Sequence, residues 1–306
     1  MAENNISSNI LFLGIDGGGS KSRATLVTAN DEFLGTGVAG PANPFQDMEQ
    51  AFNSVLDASR LALKDAGLSD DAMQRIVAGI GLAGVNLPRF YDMVTEWQHP
   101  FRRMFLATDL HIACLGAHAG RDGAVIVAGT GSCGYSYVNG QSLTCGAHGF
   151  PFGDKGSGAW MGLEACKAVL LASDGLGPAT SLEQRIGDHL AVGDLSSMIE
   201  KMAGTASNHY AKLAPLVFAA AADGDMVASE ILEDGAAYLS AVCNKLSQSK
   251  PPRMSLIGGL GQYIVPWFDT DIAKRLSPAL QQPEYGAICF AQRKWKSLHK
   301  PSSGIV

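Results

Sequence analysis

The sequence predicts an α/β protein of two domains, each built from strands and helices. Three observations lead to this prediction. The chain has 306 residues, a length that suits two domains of about 100–200 residues each. It is 46% hydrophobic and 17% charged, so it can bury a substantial core. A pattern of strand, glycine turn and strand occurs twice, near residues 10–39 and again from residue 123.

The first half of the chain alternates between strand and helix patterns. The segment ILFLGID predicts an apolar strand that ends at Asp16. After the glycine turn, the segment SRATLVTA alternates between apolar and polar residues and predicts the next strand. A third, short strand follows before residue 39. The later elements of this half are a helix over 45–66 that ends at Gly67, strands over 75–81 and 103–108, and a helix over 88–98.

The second half repeats the opening pattern and then becomes helical. GAVIVAGTGSCGYSYV again has strand, glycine turn and strand, and residues 157–249 are mostly helical. PRMSLIGGLGQ is a late strand that runs into another glycine turn, and residues 285–296 have helical spacing. We therefore predict a flexible leader (1–10), a first domain (11–118, with a returning helix over 285–297) and a second domain (119–284, with a helical insertion).

Charge and composition exclude several classes of partner. The formal net charge is -6 and the sequence has no block of lysine and arginine, which argues against nucleic acid or an anionic membrane as partner. No apolar run approaches the roughly 18–20 residues of a membrane span. The first ten residues lack the features of a signal peptide, and the six cysteines are scattered without a C-x-x-C motif. These features favour a cytoplasmic protein with reduced thiols.

The first glycine turn, Asp16 to Lys21, has the chemistry of a phosphate cradle. Gly17, Gly18 and Gly19 allow backbone N–H groups to approach an anion closely. Asp16 at the strand end could hold a magnesium ion, directly or through water, while Ser20 and Lys21 could contact phosphates. The alternative is an ordinary hairpin turn. The turn is neither a Walker A loop nor a G-x-G-x-x-G motif.

Two later glycine turns extend the pattern. Gly129, Thr130, Gly131 and Ser132 follow a strand and again combine glycines with hydroxyl groups. Gly258 and Gly259 follow the late strand, where glycines would let an adenine or ribose lie against the backbone; a plain strand-to-helix turn is the alternative. Two domains facing each other would leave a cleft between the first two turns, which is a more specific signal than either turn alone.

Three polar residues are candidates for contact with a substrate. Asp109 follows a strand and begins a helix, which suits a general base in a cleft or a simple helix cap. Asp154 lies in Gly-Asp-Lys-Gly-Ser-Gly, where it could accept two hydrogen bonds from neighbouring sugar hydroxyls or cap the next helix. Asn43, between two prolines, could bind a sugar hydroxyl or form an Asx-turn.

Five segments in this order resemble the BadF/BadG/BcrA/BcrD-type ATPase family, and within it the glucosamine and N-acetylglucosamine kinases. The resemblance runs from about residue 11 to residue 292, and AGTGSCG followed by GDKGSGA is typical of the amino-sugar kinase branch. The segments are LGIDGGGSKSRATL, LATDLHIACLGAHAG, VAGTGSCG, FPFGDKGSGAWMGLEA and SLIGGLG.

This resemblance implies a fold, a reaction and residue roles. The fold would be two ribonuclease H-like domains of the actin/hexokinase-like superfamily that flank a cleft, and the reaction would be transfer from Mg-ATP to the 6-hydroxyl of an amino sugar. A homodimer is also implied. By motif, Asp109 is the catalytic base, Asp16 the acid linked to Mg²⁺, and Ser20 and Thr130 lie near phosphates. Asn43 and Asp154 match sugar contacts, with Gly131 and Ser132 beside them. Gly258 and Gly259 match the adenosine turn. Gly286 and Ala287 match a helix that returns to the first domain.

Departures from the family pattern leave some questions open. Ser20 stands where many relatives have Thr, and Lys155 stands where relatives often carry Glu or Gln. A lysine near a sugar pocket could alter the preference between a free 2-amino group and an acetamide. Two other functions compete with a kinase: an ATPase that activates a partner enzyme, and a sugar-sensing binding protein. The first would need paired cysteines for a metal cluster, and the second would not need both Asp16 and Asp109.

Overall fold

A computed structural model describes residues 10–299, which form two compact units. The first unit comprises the described residues up to Gly123 together with those from Ala279 onward, and the second is Ala124–Pro278. The predicted domain boundaries lie a few residues from these positions. The predicted leader lies outside the described residues except for Ile10, which is buried against Phe12 and Val77 rather than part of a leader.

The first unit opens with a three-stranded meander and continues with alternating strands and helices. Its elements up to residue 123 are β1 (Leu11–Gly17), β2 (Ser22–Thr28), β3 (Phe33–Ala39), α1 (Met48–Asp65), a 3-10 helix (Asp70–Arg75), β4 (Ile76–Leu82), α2 (Pro88–Thr95), β5 (Arg103–Thr108) and α3 (Asp109–Ala117).

The second unit has a short meander followed by a long helical region, and the chain then returns to the first unit. Its elements are β6 (Gly123–Ala128), β7 (Ser132–Val138), β8 (Gln141–Gly146), α4 (Gly158–Ser173), α5 (Leu182–Leu190), α6 (Leu195–Met202), α7 (Ser207–Ala211), α8 (Ala214–Ala222), α9 (Met226–Ser247), β9 (Met254–Ile257), α10 (Gly261–Ile264), a 3-10 turn (Val265–Trp267) and α11 (Thr270–Arg275). The returning helix is α12 (Pro283–Leu298).

The two sheets share a strand order. The first sheet runs β3-β2-β1-β4-β5, with β1, β2 and β3 antiparallel and β4 and β5 parallel to β1. The second runs β8-β7-β6-β9, and Leu276 forms a parallel bridge to Met254 of β9 in the position that β5 takes in the first sheet. This repeated α/β architecture confirms the predicted fold class of two ribonuclease H-like units.

Most predicted elements agree with the structure to within a few residues. Helix α1 begins after Asp47, whose carboxylate accepts the Gln50 N–H, and ends at Asp65. Gly67, just past the helix end, has the positive φ of 69° expected for a glycine in that position. Helix α2 ends at Thr95, earlier than predicted, because Trp97 turns back to stack on Phe52 at a centroid distance of 4.4 Å. Strand β8 is not among the predicted strands, since its exposed edge sequence lacks an apolar alternation.

Backbone contacts hold α12 against the first sheet. A Cβ atom at Gly14 of β1 would lie 1.8 Å from the carbonyl oxygen of Glu284, and one at Gly79 of β4 would lie 2.0 Å from the carbonyl oxygen of Ala287. Gly14 and Gly79 are partners across the parallel β1–β4 pair. Only glycine allows a helix backbone to lie this close to a sheet, so these two positions fix α12 on the face that also carries Asp16.

Candidate active site

Asp16 lies at the carboxyl end of β1, in the middle of the first sheet. It pairs with Gly81 of the parallel strand β4, and the carboxyl ends of parallel strands are where α/β proteins bind ligands. Gly17 follows in close contact with Leu82, whose Cδ2 would lie 2.4 Å from a Cβ at that position. None of Gly17, Gly18 and Gly19 has a positive φ, so close packing and access, rather than an unusual backbone conformation, account for glycine here.

The first glycine turn presents free backbone donors. Gly18 N–H donates to the carbonyl of Lys21 at 3.0 Å, which closes the turn. The N–H groups of Gly19, Ser20 and Lys21 have no hydrogen-bond partner within residues 10–299, and these three residues are exposed. Three neighbouring unpaired N–H groups beside a lysine have the chemistry that suits an anion.

Asp109 lies at the carboxyl end of β5 and is the first residue of α3. The N-cap of α3 is Thr108, whose hydroxyl accepts the His111 N–H, so Asp109 is not the capping residue. Its Oδ1 accepts the Leu110 N–H at 2.8 Å. Burial raises the pKa of Asp109 above its usual value, although the hydrogen bond to the Leu110 N–H opposes this shift.

Asp16 and Asp109 are close enough to influence each other electrostatically. The pKa of Asp16 is raised to about 7, first by burial, then by the negative charges of Glu284 and Asp109, against the opposing charges of Arg23 and Lys21. A raised pKa from burial and like charges is typical of functional sites. The structure therefore brings the predicted base and the predicted metal-linked acid together in the first unit.

Glu284 is a member of this cluster that the sequence analysis missed. Its side chain is only 4% exposed, and its Oε2 atom has no hydrogen-bond partner among the described residues. In the sequence Glu284 follows Pro283 at the start of a helix, where an exposed Glu is common because it interacts favourably with the helix dipole. Only the close packing of α12 on the sheet reveals that this Glu is buried beside Asp16.

Asn43 lies in a loop attached to the first glycine turn. The N–H of Ala42 donates to the carbonyl of Gly18 at 2.9 Å, and Asn43 Oδ1 accepts the Phe45 N–H at 3.0 Å. The Asx-turn is therefore present. The amide nitrogen of Asn43 has no partner among the described residues and remains able to donate to a ligand.

The second glycine turn connects β6 to β7 in the second unit. Gly129 N–H donates to the Gly131 carbonyl at 3.0 Å, and the start of α4 is fixed to the turn because Gly158 N–H donates to the Gly129 carbonyl at 2.8 Å. The N–H groups of Thr130 and Gly131 have no partner in the described part of the chain. This turn thus presents free donors of the same kind as the first.

Asp154 lies against the second glycine turn. It accepts the N–H groups of Ser132 and Gly149, and burial raises its pKa despite these bonds and the charge of His148. The N-cap of α4 is Ser157, so Asp154 does not cap the helix; its own φ is positive, at 64°.

Lys155, next to Asp154, is engaged elsewhere. Its ammonium forms a salt bridge to Asp234 at 2.7 Å and lies 5.6 Å from the ring centre of Trp160. Its backbone carbonyl accepts the Ser132 hydroxyl at 2.7 Å, which holds the Asp154 loop against β7.

The third turn lies beside the second within the same unit. Gly258 has a φ of 101°, and a Cβ there would lie 2.4 Å from the carbonyl oxygen of Ala128. That same carbonyl accepts the Leu260 N–H at 3.0 Å. The parallel pairing of β6 with β9 places Gly258 and Gly259 next to Gly129, so the predicted phosphate and adenosine turns are adjacent.

Two units that each carry a mixed sheet, with a glycine turn after the first strand, define the class of actin/hexokinase-like ATPases. The chain belongs to the BadF/BadG/BcrA/BcrD ATPase family, whose sequence profile matches residues 13–265. Membership of this family implies that ATP is a substrate. No helix in residues 10–299 is long and apolar enough to cross a membrane.

Three known proteins show how closely the chain resembles its relatives. Glucosamine kinase GspK of Vibrio cholerae is 34% identical over 289 residues, which cover 94% of this chain and 98% of that protein. The N-acetylmuramic acid/N-acetylglucosamine kinase of Clostridium acetobutylicum is 30% identical over 261 residues, covering 81% and 84%. The crystal structure of a candidate N-acetylglucosamine kinase from Chromobacterium violaceum has a TM-score of 0.86 at 29% identity and covers 92% of this chain and 99% of that one.

Proposed function

We propose that this protein is an ATP-dependent kinase that phosphorylates an amino sugar, glucosamine or N-acetylglucosamine, at its 6-hydroxyl. The observation that carries the proposal is the position of Asp109: a partly buried carboxylate with a raised pKa, at the carboxyl end of the sheet and electrostatically coupled to Asp16. Relatives named as glucosamine and N-acetylglucosamine kinases over most of the chain support the substrate class.

Asp109 is the general base of the proposed reaction. Its carboxylate takes the proton of the sugar 6-hydroxyl while that oxygen bonds to the γ-phosphorus of ATP. The bond between the γ-phosphorus and the bridging oxygen breaks, and ADP leaves with that oxygen. Burial supports this role because it raises the pKa of Asp109, and a base with a pKa closer to neutral accepts a proton more readily.

The glycine turns provide the phosphate and nucleotide contacts in this proposal. The unpaired N–H groups of Gly19, Ser20 and Lys21 would donate to phosphate oxygens, as would those of Thr130 and Gly131. Gly258 and Gly259 would accommodate the adenosine, since both are exposed and lie beside the second turn. Positioning and charge stabilisation of this kind account for most of the catalysis of phosphoryl transfer.

Two carboxylates of the first unit, Asp16 and Glu284, are oxygen ligands of the kind that a magnesium ion bound with ATP would use. Mg²⁺ prefers oxygen ligands, and Asp16 lies beside a buried glutamate oxygen that has no partner among the described residues. Asp16 would hold the ion directly or through water. A magnesium ion held there would neutralise part of the phosphate charge.

Asn43 and Asp154 are the proposed sugar contacts, together with Gly131 and Ser132 of the second turn. In the first unit the free amide nitrogen of Asn43 can donate to a hydroxyl group. In the second unit the Asp154 carboxylate can accept from hydroxyl groups. The salt bridge of Lys155 to Asp234 gives no support to a direct contact between this lysine and the sugar. The homodimer implied by the family resemblance stays a prediction.

Comparison of acceptors tests the proposal. Purified protein with Mg-ATP should phosphorylate glucosamine or N-acetylglucosamine at least several-fold faster than glucose at matched concentration, with the phosphate on the 6-oxygen. ADP formation without sugar should be far slower, because substrate binding is expected to exclude water from the site. ATP hydrolysis at a rate that no sugar changes would instead favour the activating ATPase and would contradict the kinase.

A further inference from the structure

Glu284 is buried without the partner that a buried carboxylate needs. Its side chain is 4% exposed, it makes no salt bridge with any residue in 10–299, and its Oε2 atom has no hydrogen-bond partner there. Burying an unpaired charge is unfavourable unless another group compensates for it. The fold therefore tolerates a cost at this position, and such a cost is usually associated with function.

Backbone packing fixes where the main chain of Glu284 lies. Gly14 and Asp16 are two residues apart on β1, so they lie on the same face of the sheet. The carbonyl oxygen of Glu284 contacts Gly14 so closely that a Cβ there would lie 1.8 Å away. Glu284 is thereby held next to Asp16, and its negative charge helps to raise the pKa of Asp16.

The start of α12 is a favourable position for an acidic side chain. Glu284 is in the first turn of α12, where the helix dipole favours a negative charge. With Asp16 and Asp109, the first unit then contains three acidic side chains at one end of the sheet, and the nearby Lys21 and Arg23 are both exposed. No group of three or more His, Cys, Asp or Glu side chains in residues 10–299 is arranged to hold a metal ion by itself, so phosphate oxygens or water would have to supply the remaining ligands of an ion held by Asp16 and Glu284.

We propose that Glu284 is a second carboxylate ligand, with Asp16, for the Mg²⁺ ion that accompanies ATP, either directly or through one water. This inference rests on the proposed use of Mg-ATP. It assigns the unpartnered oxygen of Glu284 a partner, and it explains why α12 returns to the first unit with an acidic residue at its start.

Nucleotide binding with and without metal tests the assignment. The affinity of the full-length protein for the non-hydrolysable analogue AMP-PNP is measured by calorimetry in Mg²⁺ and in EDTA. Wild type should bind more tightly in Mg²⁺. In Glu284→Gln that metal-dependent gain should fall about 10- to 100-fold, as is typical when a group that supports a metal site is removed. Affinity in EDTA should stay the same or increase, because a negative charge near the phosphates is lost.

The matched control is Glu49→Gln, which neutralises an exposed glutamate in the first turn of α1 and should leave the gain unchanged. Thermal melting checks that Glu284→Gln is folded. If it is not, Glu284→Asp carries the same test, because a carboxylate one methylene shorter no longer places its oxygen where the ion, or the water bound to it, requires it.

The outcomes separate this inference from the proposed function. Three results would overturn the assignment. In the first, Glu284→Gln keeps the full increase in AMP-PNP affinity that Mg²⁺ gives wild type. In the second, the variant loses affinity equally in Mg²⁺ and in EDTA, and in the third, Mg²⁺ does not increase the affinity of wild type. The binding assay contains no sugar, so its result does not depend on the kinase proposal. If wild type phosphorylates none of the sugars, but Glu284→Gln lowers the Mg²⁺-dependent increase in AMP-PNP affinity, the kinase proposal is contradicted and the metal ligand is supported.

Discussion

The carboxylate of Asp154 occupies the space that a side chain at Gly131 would need. A Cβ at Gly131 would lie 2.8 Å from Asp154 Oδ2 and 3.3 Å from its Cγ. Glycine at this position therefore serves the second unit in two ways: its N–H remains free for a ligand, and the absence of a side chain lets Asp154 lie against the turn. The GTG and GDKGSG motifs are thus in direct contact.

Gly131→Ala should weaken sugar binding more than it weakens the fold. The new methyl group would displace the carboxylate of Asp154, a short side chain that can move, and would disturb its hydrogen bonds to the Ser132 and Gly149 N–H groups. We expect the KM for the amino sugar to rise about tenfold, the loss that corresponds to one charge-assisted hydrogen bond. Gly193→Ala is the matched control, because a Cβ there meets nothing within 4 Å. An unchanged KM would mean that Asp154 does not contact the sugar.

Asp109→Asn should abolish most phosphoryl transfer while the protein still binds its substrates. Removal of a general base typically costs about 10²- to 10⁴-fold in rate, and an amide preserves the shape of the side chain. We expect kcat to fall by this factor with little change in the dissociation constants of AMP-PNP and sugar, measured by calorimetry. A variant with near-normal turnover would exclude Asp109 as the base.

The pH dependence of kcat/KM offers a second view of Asp109. Since burial raises its pKa, the carboxylate becomes protonated at a higher pH than an ordinary aspartate would. Activity should therefore decline on the acidic side of neutrality, over a range above the usual aspartate pKa of about 3.9. A rate that stays constant down to that value would contradict a raised pKa at the base.

Local sequence patterns were sufficient for the strands other than β8 and for the positions of Asp16, Asp109 and the glycine turns at strand ends. Asp16, Asp109 and the glycine turns are each preceded by a short apolar run, and such a run places the next residue at a strand end wherever the strand lies in the sheet. The order of strand, turn and strand, repeated once, was enough to predict two sheets of the same kind.

The role of Glu284 could not be predicted in this way, because it depends on contacts between residues far apart in the sequence. Gly14 and Gly79 allow α12 to approach the sheet, and neither glycine is near Glu284 along the chain. The same limit applies to Lys155, whose pairing with Asp234 depends on where α9 packs. A sequence pattern indicates that a helix or strand forms, but not which distant residues that helix or strand packs against.

His111 should make the fold less stable in acid. Burial, with the nearby charges of Arg293 and Lys294, lowers its pKa to about 4 from an ordinary 6.5. Between these values the unfolded chain binds a proton that the folded protein does not, so stability is fully present above about pH 6.5 and is lost as pH falls toward 4. The loss should be on the order of 2–3 kcal/mol.

His111→Phe isolates this effect, because phenylalanine cannot titrate but can keep the edge-on contact with Phe290, whose ring centre is 5.4 Å away. Urea unfolding from pH 5 to 8 should show a shallower dependence on pH in the variant than in wild type. His99, whose pKa is also lowered by burial, is present in both proteins and cancels in the difference. Identical slopes would mean that His111 is not the titrating group.

Gly14→Ala should destabilise the first unit and disturb the proposed metal site at the same time. Its Cβ would lie 1.8 Å from the backbone oxygen of Glu284 and 2.8 Å from a side-chain carbon of Ile288, and a backbone oxygen cannot move aside without shifting α12. We expect a loss of at least about 3 kcal/mol in the free energy of unfolding, at the upper end of the usual cost of overpacking, measured by urea denaturation. Gly19→Ala is a suitable comparison in the same region, since the nearest atom to a Cβ there is 3.5 Å away, at the end of the Gln46 side chain. If Gly14→Ala were as stable as wild type, α12 could not lie directly on β1, and the position assigned to Glu284 beside Asp16 would be wrong.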